Sequence, residues 1–413
     1  MRRVCIQWPR FGPYHLARLE TTHSFLATQG AELVALETAG TDATYAWRVE
    51  DDERAFRRVR VFPDRVFEEL DPKEVDREVQ RKLDELQPDG VAIHSYSFPD
   101  ARACLSWCRR NRRVAVVMTD SREDDGPRVG WRELIKRLIV SQYDAGLVAG
   151  TPQRAYLQKL GLPADRIFLG YDVVDNDFFE RAAEGVRRDA EFWRRRLDLP
   201  GSPFFVSVNR LLPYKNVDGL LVAYRQYRER AANPWPLVIV GDGPDRVRLE
   251  TIVRERRIEG VHFAGFRQID DLPAYYALAG ALVHPTFRDT WGLTVNEAMA
   301  TGLPVIVSDR AGCVNDLVAH GRNGFRFDPA DTSRLAELLT EMASDKTDRT
   351  ALGNQARTTI AGWSLSLFAE SLWAAMRAGA ATSQRGMNPL AAAAIRTLAL
   401  TAREVHSFQA LRI

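Results

Sequence analysis

The feature that most constrains this chain is a rhythm of short apolar runs and amphipathic stretches that stops and then starts again. In the first half the runs cover residues 4–8, 33–36, 90–94, 114–118 and 145–148. Helical periodicity fills 15–28, 73–86, 101–110 and 131–140 between them. After residue 200 the pattern resumes, with runs at 204–208, 236–240, 261–264, 281–284 and 304–307 and helical stretches at 217–230 and 245–257. Apolar runs this short, separated by helices, fit strands buried on both faces of a parallel sheet. A chain of 413 residues can hold two such α/β cores. The expected division is a first domain at 1–180, a second at 200–362, and helices at 363–413 that return to the first. The crossing is read in the charged stretch between Gly170 and Ser202. Residues 380–389 read as loop, and 390–411 as an Ala/Leu-rich helix packed on the first domain.

Composition narrows the function classes. Apolar residues make up 45% and charged residues 27%, and the net charge is +2, so no general affinity for nucleic acid is indicated. Only six of the 57 basic residues are lysines, so arginine runs carry little meaning here and a rare lysine carries more. The run 109–113 is read as a solvated helix end. Cys5, Cys104, Cys108 and Cys313 lack the spacing of a metal or disulfide framework and read as buried thiols of a reducing compartment. No apolar stretch approaches the roughly 20 residues that span a bilayer, and the N-terminal run is too short for a signal peptide. The expectation is a cytoplasmic protein. The basic amphipathic stretch 131–140 suits peripheral contact with the inner face of a membrane, with packing on a sheet the preferred reading.

The string PTFRDTWGLTVNEAMATGLPVIVSD, Pro285 to Asp309, reads loop, helix, glycine stop and buried strand. A helix that opens at Gly292 offers the unpaired N–H groups of Gly292, Leu293 and Thr294 to a phosphate. Asp289 and Glu297 flank that opening, placed to accept hydrogen bonds from hydroxyls at either end of a diphosphate. The bland alternative makes Thr294-Val-Asn-Glu297 a capping box and Asp289 a partner of the helix dipole.

Taken whole, this string resembles the signature of retaining family-4 glycosyltransferases. In that signature a loop acid, an aromatic-Gly pair (Trp291-Gly292), Glu-Ala-Met-Ala and Gly-x-Pro-Val-Ile recur in order. The resemblance implies the GT-B fold, with two Rossmann-like doubly wound domains facing each other across a cleft. It implies a nucleotide-sugar donor, a UDP- or GDP-sugar, as substrate, with no permanently bound cofactor and no metal. Arg210 and Lys215, on the loop after run 204–208, would hold the donor phosphates. Glu297 would bind ribose, and Asp289 the donor sugar. Gly241, Asp242 and Phe266 follow two further strands, where nucleotide and base would lie. The family pattern has glutamate at both acid positions, so Asp289 is a departure that bears on which sugar is accepted.

On the acceptor side, Gly12 follows the first run and matches the family's glycine-rich loop only in part. His94, at the end of run 90–94, is read as a contact to donor sugar or acceptor, with Tyr14, His15 and the segment 119–122 as further candidates. The acceptor would be a glycan, a lipid-linked sugar or a small hydroxyl compound. The implied reaction is front-face transfer assisted by the departing phosphate. Two rivals stand beside it: a non-catalytic nucleotide-sugar-binding protein, and another GT-B enzyme such as a sugar-nucleotide epimerase. A dehydrogenase is disfavoured, because no G-x-G-x-x-G follows an early strand.

Overall fold

The computed structural model describes residues 1–43, 47–48, 54–126, 128–382 and 386–395. They form two α/β units, one of Met1–Val173 joined by the chain from Leu365, the other of Val174–Ser364.

The first unit carries a parallel sheet of β1 (Arg3–Trp8), β2 (Glu32–Thr41), β3 (Arg57–Val66), β4 (Gly90–His94), β5 (Val114–Thr119), β6 (Ala145–Val148) and β7 (Ile167–Leu169). The strand order is β3-β2-β1-β4-β5-β6-β7, so direction of growth reverses between β1 and β4. The second unit repeats the plan with β8 (Phe205–Val208), β9 (Leu237–Val240), β10 (Val261–Gly265), β11 (Ala281–His284), β12 (Val305–Ser308) and β13 (Gly324–Phe327). Its order is β10-β9-β8-β11-β12-β13, reversing between β8 and β11. Both orders are doubly wound, Rossmann-like arrangements. Strands such as β8, β9, β11 and β12 are buried at every position, as two-sided cover by helices requires.

β3, β7 and β13 do not stand out in the sequence, and the reasons are physical. β3 lies at a sheet edge and reads RRVRVFPDRV, with only Phe62 fully buried, so its pattern is that of a half-solvated strand. β7 and β13 are three and four residues long, and each is also an edge.

The chain re-enters the first unit with the helix Leu365–Ala380, which packs on β5, β6, β7 and the helix Pro13–Thr28. Residues 389–395 are helical, with Ala391 and Ile395 buried in the first unit's core. The remainder of the expected helix 390–411 lies outside the described residues. None of the four cysteines is in a disulfide among the described residues and all are buried, and burial pushes the Cys108 thiol up to about 12. Arg109 departs from expectation. It is buried, not solvated, and its guanidinium grips Asp144 on the approach to β6 at 2.5 and 3.0 Å. An arginine at a helix end turns inward when a buried carboxylate waits there.

Tight backbone contacts bind the strand ends of the second unit together. Gly241 has φ 132°, and a Cβ there would lie 1.8 Å from the Asn209 carbonyl oxygen. Gly241→Ala should therefore cost about 3 kcal/mol of unfolding free energy, from strain and overlap together. Gly30, at φ 69° with open space around it, is the control. Gly30→Ala should cost only about 1 kcal/mol. Urea unfolding of both variants would measure the difference.

Candidate functional site

Ligands of doubly wound sheets bind outside the carboxyl ends of the strands that flank the reversal. In the second unit those strands are β8 and β11. The loop leaving β8 holds Arg210 and Lys215; the loop leaving β11 holds Asp289 and leads into the helix Leu293–Ala300. Two stitches fix one loop against the other. The Phe287 N–H donates to the Tyr214 carbonyl at 2.8 Å, and the Asn216 amide donates to the Pro285 carbonyl at 3.0 Å. Asn216 adopts φ 55°, the left-handed turn that lets Lys215 face the acid loop.

The result is a compact charged centre. Lys215 Nζ lies 2.6 Å from Asp289 Oδ2, and His284 Nε2 lies 3.0 Å from the same oxygen. Burial works to raise the Asp289 pKa, but the Lys215 charge and the His284 hydrogen bond outweigh it. They hold the carboxyl well below the usual carboxylate range, so Asp289 is ionised at neutral pH. Arg210 is exposed, and among the described residues its side chain makes no hydrogen bond or ion pair. It is a cation available to an incoming anion.

Glu297 lies in the second turn of the helix with its carboxylate buried, where Oε2 accepts the Tyr276 hydroxyl at 2.5 Å. The capping-box alternative fails here. The helix starts at Leu293 with Gly292 as its N-cap (φ 109°), so Thr294 is already inside the first turn. Gly292, Leu293 and Thr294 supply first-turn N–H groups, which an α-helix leaves without internal partners.

The neighbouring strand ends continue this edge in sheet order. Phe266 follows β10 and is 38% exposed, and the Gly265 carbonyl before it accepts the Gly241 N–H at 2.8 Å. Gly241 makes its close approach to the Asn209 backbone rather than to open space. Asp242 is exposed and accepts from the Gly243 N–H at 2.8 Å and from Arg246 at 3.0 Å, which makes it part of the turn into the next helix. Sequence reasoning expected glycines that make way for a ligand. At 241 the glycine makes way for the loop that carries Arg210.

In the first unit the reversal falls between β1 and β4, and Gly12 and His94 sit at those two strand ends. The Gly12 N–H donates to His15 Nδ1 at 2.9 Å, and the His15 ring packs 4.7 Å from Trp8. Trp8 Nε1 donates to the Tyr171 hydroxyl at 2.9 Å, and that hydroxyl lies 2.8 Å from His94 Nδ1. The indole N–H can only donate, and the Tyr171 hydroxyl has no further hydrogen-bond partner among the described residues, so its proton is assigned to Nδ1 and the His94 proton to Nε2. Burial lowers the His94 pKa to about 4, with Asp120 opposing and Arg18 adding to the shift.

Residues 189–359 match the family profile described as Glycosyl transferases group 1. A GDP-mannose-dependent alpha-mannosyltransferase of Mycolicibacterium smegmatis is 41% identical over 138 residues, 33% of this chain and 34% of that protein. A GDP-mannose-dependent alpha-(1-6)-phosphatidylinositol monomannoside mannosyltransferase of Mycobacterium tuberculosis is 30% identical over 271 residues, 62% of this chain and 69% of the relative. The chain belongs to the glycosyl transferases group 1 family. A solved sucrose-phosphate synthase from Thermosynechococcus elongatus shares the fold, with TM-score 0.70, 18% identity, and coverage of 90% of this chain and 98% of that one.

Within this glycosyltransferase, sequence reasoning did not select His284, Tyr276 or Tyr171. His284 had a readable signal: it is the last residue of an apolar run and directly precedes the loop of Asp289. Tyr276 and Tyr171 had none, since each acts through a fold contact to a residue distant in sequence.

His94 and His15 are both depressed by burial. Each is neutral when folded and protonates more readily when unfolded, so the stability they contribute is full above pH 6.5 and is lost as pH drops toward 4. Asp100 and Asp125, pushed up by burial to about 6, act in the opposite sense, so the histidine contribution is read as a difference: from pH 7 to pH 5 the urea midpoint of His94→Gln should rise relative to that of wild type.

Proposed function

We propose that this glycosyltransferase moves a hexose from a nucleoside-diphosphate donor to an acceptor hydroxyl, retaining the anomeric configuration. The observation that carries the reading is the Lys215–Asp289–His284 centre at the strand reversal of the second unit. A cation and an ionised acid at that place suit the two ends of one bond. Lys215 and Arg210 neutralise the leaving diphosphate, while Asp289 accepts a hydroxyl of the sugar being released. First-turn amides of the helix Leu293–Ala300 add donors to the phosphate. Glu297 accepts the ribose hydroxyls, with Tyr276 holding its other side. Phe266 offers an apolar face beside the base. Both relatives named above are GDP-mannose-dependent by name, which favours a guanosine donor.

Calorimetry with GDP, UDP and ADP on wild type and Glu297→Ala tests the donor side. Loss of a charge-assisted hydrogen bond of about 1.5–3 kcal/mol should weaken the preferred nucleotide by about tenfold or more. A wild type that binds none of the three would sink the proposal. An inverted anomeric product would overturn the retaining mechanism alone.

We also infer peripheral contact with anionic lipid, which suits a lipid-linked acceptor. Among the described residues no helix is long and apolar enough to cross a membrane. The helix Gly130–Val140 instead keeps Trp131 (60%) and Leu134 (59%) exposed beside exposed Arg132 and Arg137. Its carboxylate, Glu133, is engaged by Lys136 at 2.8 Å. An apolar strip flanked by arginines favours an anionic interface. Vesicles of phosphatidylcholine with phosphatidylglycerol should bind the protein, pure phosphatidylcholine should not, and Leu134→Glu should abolish binding while leaving nucleotide affinity unchanged.

A further inference from the structure

We propose that His284 is a positioning residue for the donor sugar. With Lys215 it fixes Asp289 through one oxygen, Oδ2, so that the other, Oδ1, is the single acceptor presented to a sugar hydroxyl. This rests on the nucleotide-sugar reading above and specifies how the sugar end of that site is read.

Both fixed partners converge on Oδ2, Lys215 Nζ at 2.6 Å and His284 Nε2 at 3.0 Å. Among the described residues no donor reaches Oδ1, and the Asp289 side chain keeps 16% of its surface open. The backbone of Asp289 is also held, since its carbonyl accepts the Gly312 N–H at 3.0 Å. The acid therefore has a fixed stem, one occupied oxygen and one free oxygen. An ionised carboxylate oxygen is a strong acceptor, and its fixed direction makes it selective for one hydroxyl orientation.

His284 is built for this task. It is 1% exposed at the carboxyl end of β11, where pairing with β12 sets its backbone (His284 against Val307). Its Nδ1 faces the Thr294 hydroxyl at 3.5 Å. That hydroxyl can donate to Nδ1, which leaves the ring proton on Nε2, directed at Asp289. Gly292 keeps the space open. A Cβ at this position would sit 3.3 Å from His284 Nε2 and 3.8 Å from Asp289 Oδ2, pressing on the contact.

Two partners are needed because one of them has a second duty. When a diphosphate arrives, its charge competes with Asp289 for Lys215, and the ion pair loosens. His284 carries no such competing role and keeps Oδ2 in place. It also accounts for an aspartate at this position. A short side chain anchored from the strand gains fixed direction where a glutamate would gain reach.

The test compares wild type, His284→Ala, His284→Gln and Thr294→Val. Calorimetry gives the affinity for GDP and for UDP. Slow donor hydrolysis, followed as nucleotide release, gives kcat and KM for the epimer pairs GDP-mannose and GDP-glucose, and UDP-glucose and UDP-galactose. His284→Ala should leave nucleoside-diphosphate affinity within about twofold, lower kcat for the preferred donor at least tenfold, and flatten the preference between epimers. His284→Gln, whose amide can still donate to Oδ2, should recover much of both, and Thr294→Val should shift both slightly in the direction of the alanine variant. The proposal is overturned if a folded His284→Ala keeps the wild-type epimer preference. It is equally overturned if nucleotide affinity falls in step with kcat, since His284 would then be supporting the whole site. Should His284→Ala fail to fold, His284→Gln decides: an epimer preference lost in that folded variant contradicts positioning through the Nε2 contact. If wild type binds neither nucleotide, the donor reading fails first and this inference with it, a result distinct from the others.

Discussion

A parallel sheet whose strand order reverses cannot cover the point of reversal with its own crossover helices. The two connections leave in opposite directions, and a gap opens outside the carboxyl ends of the central pair. This constraint acts twice here, between β1 and β4 and between β8 and β11. The charged and hydrogen-bonding candidates gather on the segments that leave those strands. Gly12 and His94 take the first gap; Lys215, His284 and Asp289 take the second. The buried strands supply rigidity, and the loops leaving them supply the chemistry.

What makes the second gap a site is the way its loops are joined. Carbonyls of Tyr214 and Pro285 receive donors from the opposite loop, and Gly241 and Gly243 let the next loop press against the backbone of Asn209 and Leu211. These contacts involve main chain on at least one side, so the spacing between Lys215 and Asp289 does not depend on flexible side-chain packing. The charged pair at 2.6 Å is half-buried, and Arg210 stands outside it, exposed.

Much of this was legible in the sequence. The two α/β halves followed from the spacing of apolar runs, and the candidate residues after β8 and β11 were picked out by one 25-residue string and a rare lysine. The edge strand β3 escaped because half-solvated strands lack a continuous apolar run. Arg109 was misread because composition made arginine look ordinary, and its buried partner Asp144 lies far along the chain. The capping-box alternative for Glu297 was decided by two residues of helix phase, since a start at Leu293 instead of after Thr294 removes it. Tyr276 and Tyr171 were invisible because no local pattern announces a hydroxyl that meets its partner only after folding.

The chain of hydrogen bonds from Trp8 through Tyr171 to His94 has a chemical consequence. It fills the lone pair on Nδ1 and leaves a proton on Nε2, so the ring face away from the tyrosine can offer a hydrogen but cannot take one. A histidine so arranged is a neutral donor across the physiological range, not a base. At that strand end the ring can hold a ligand oxygen by its lone pair, and it cannot take a proton from it.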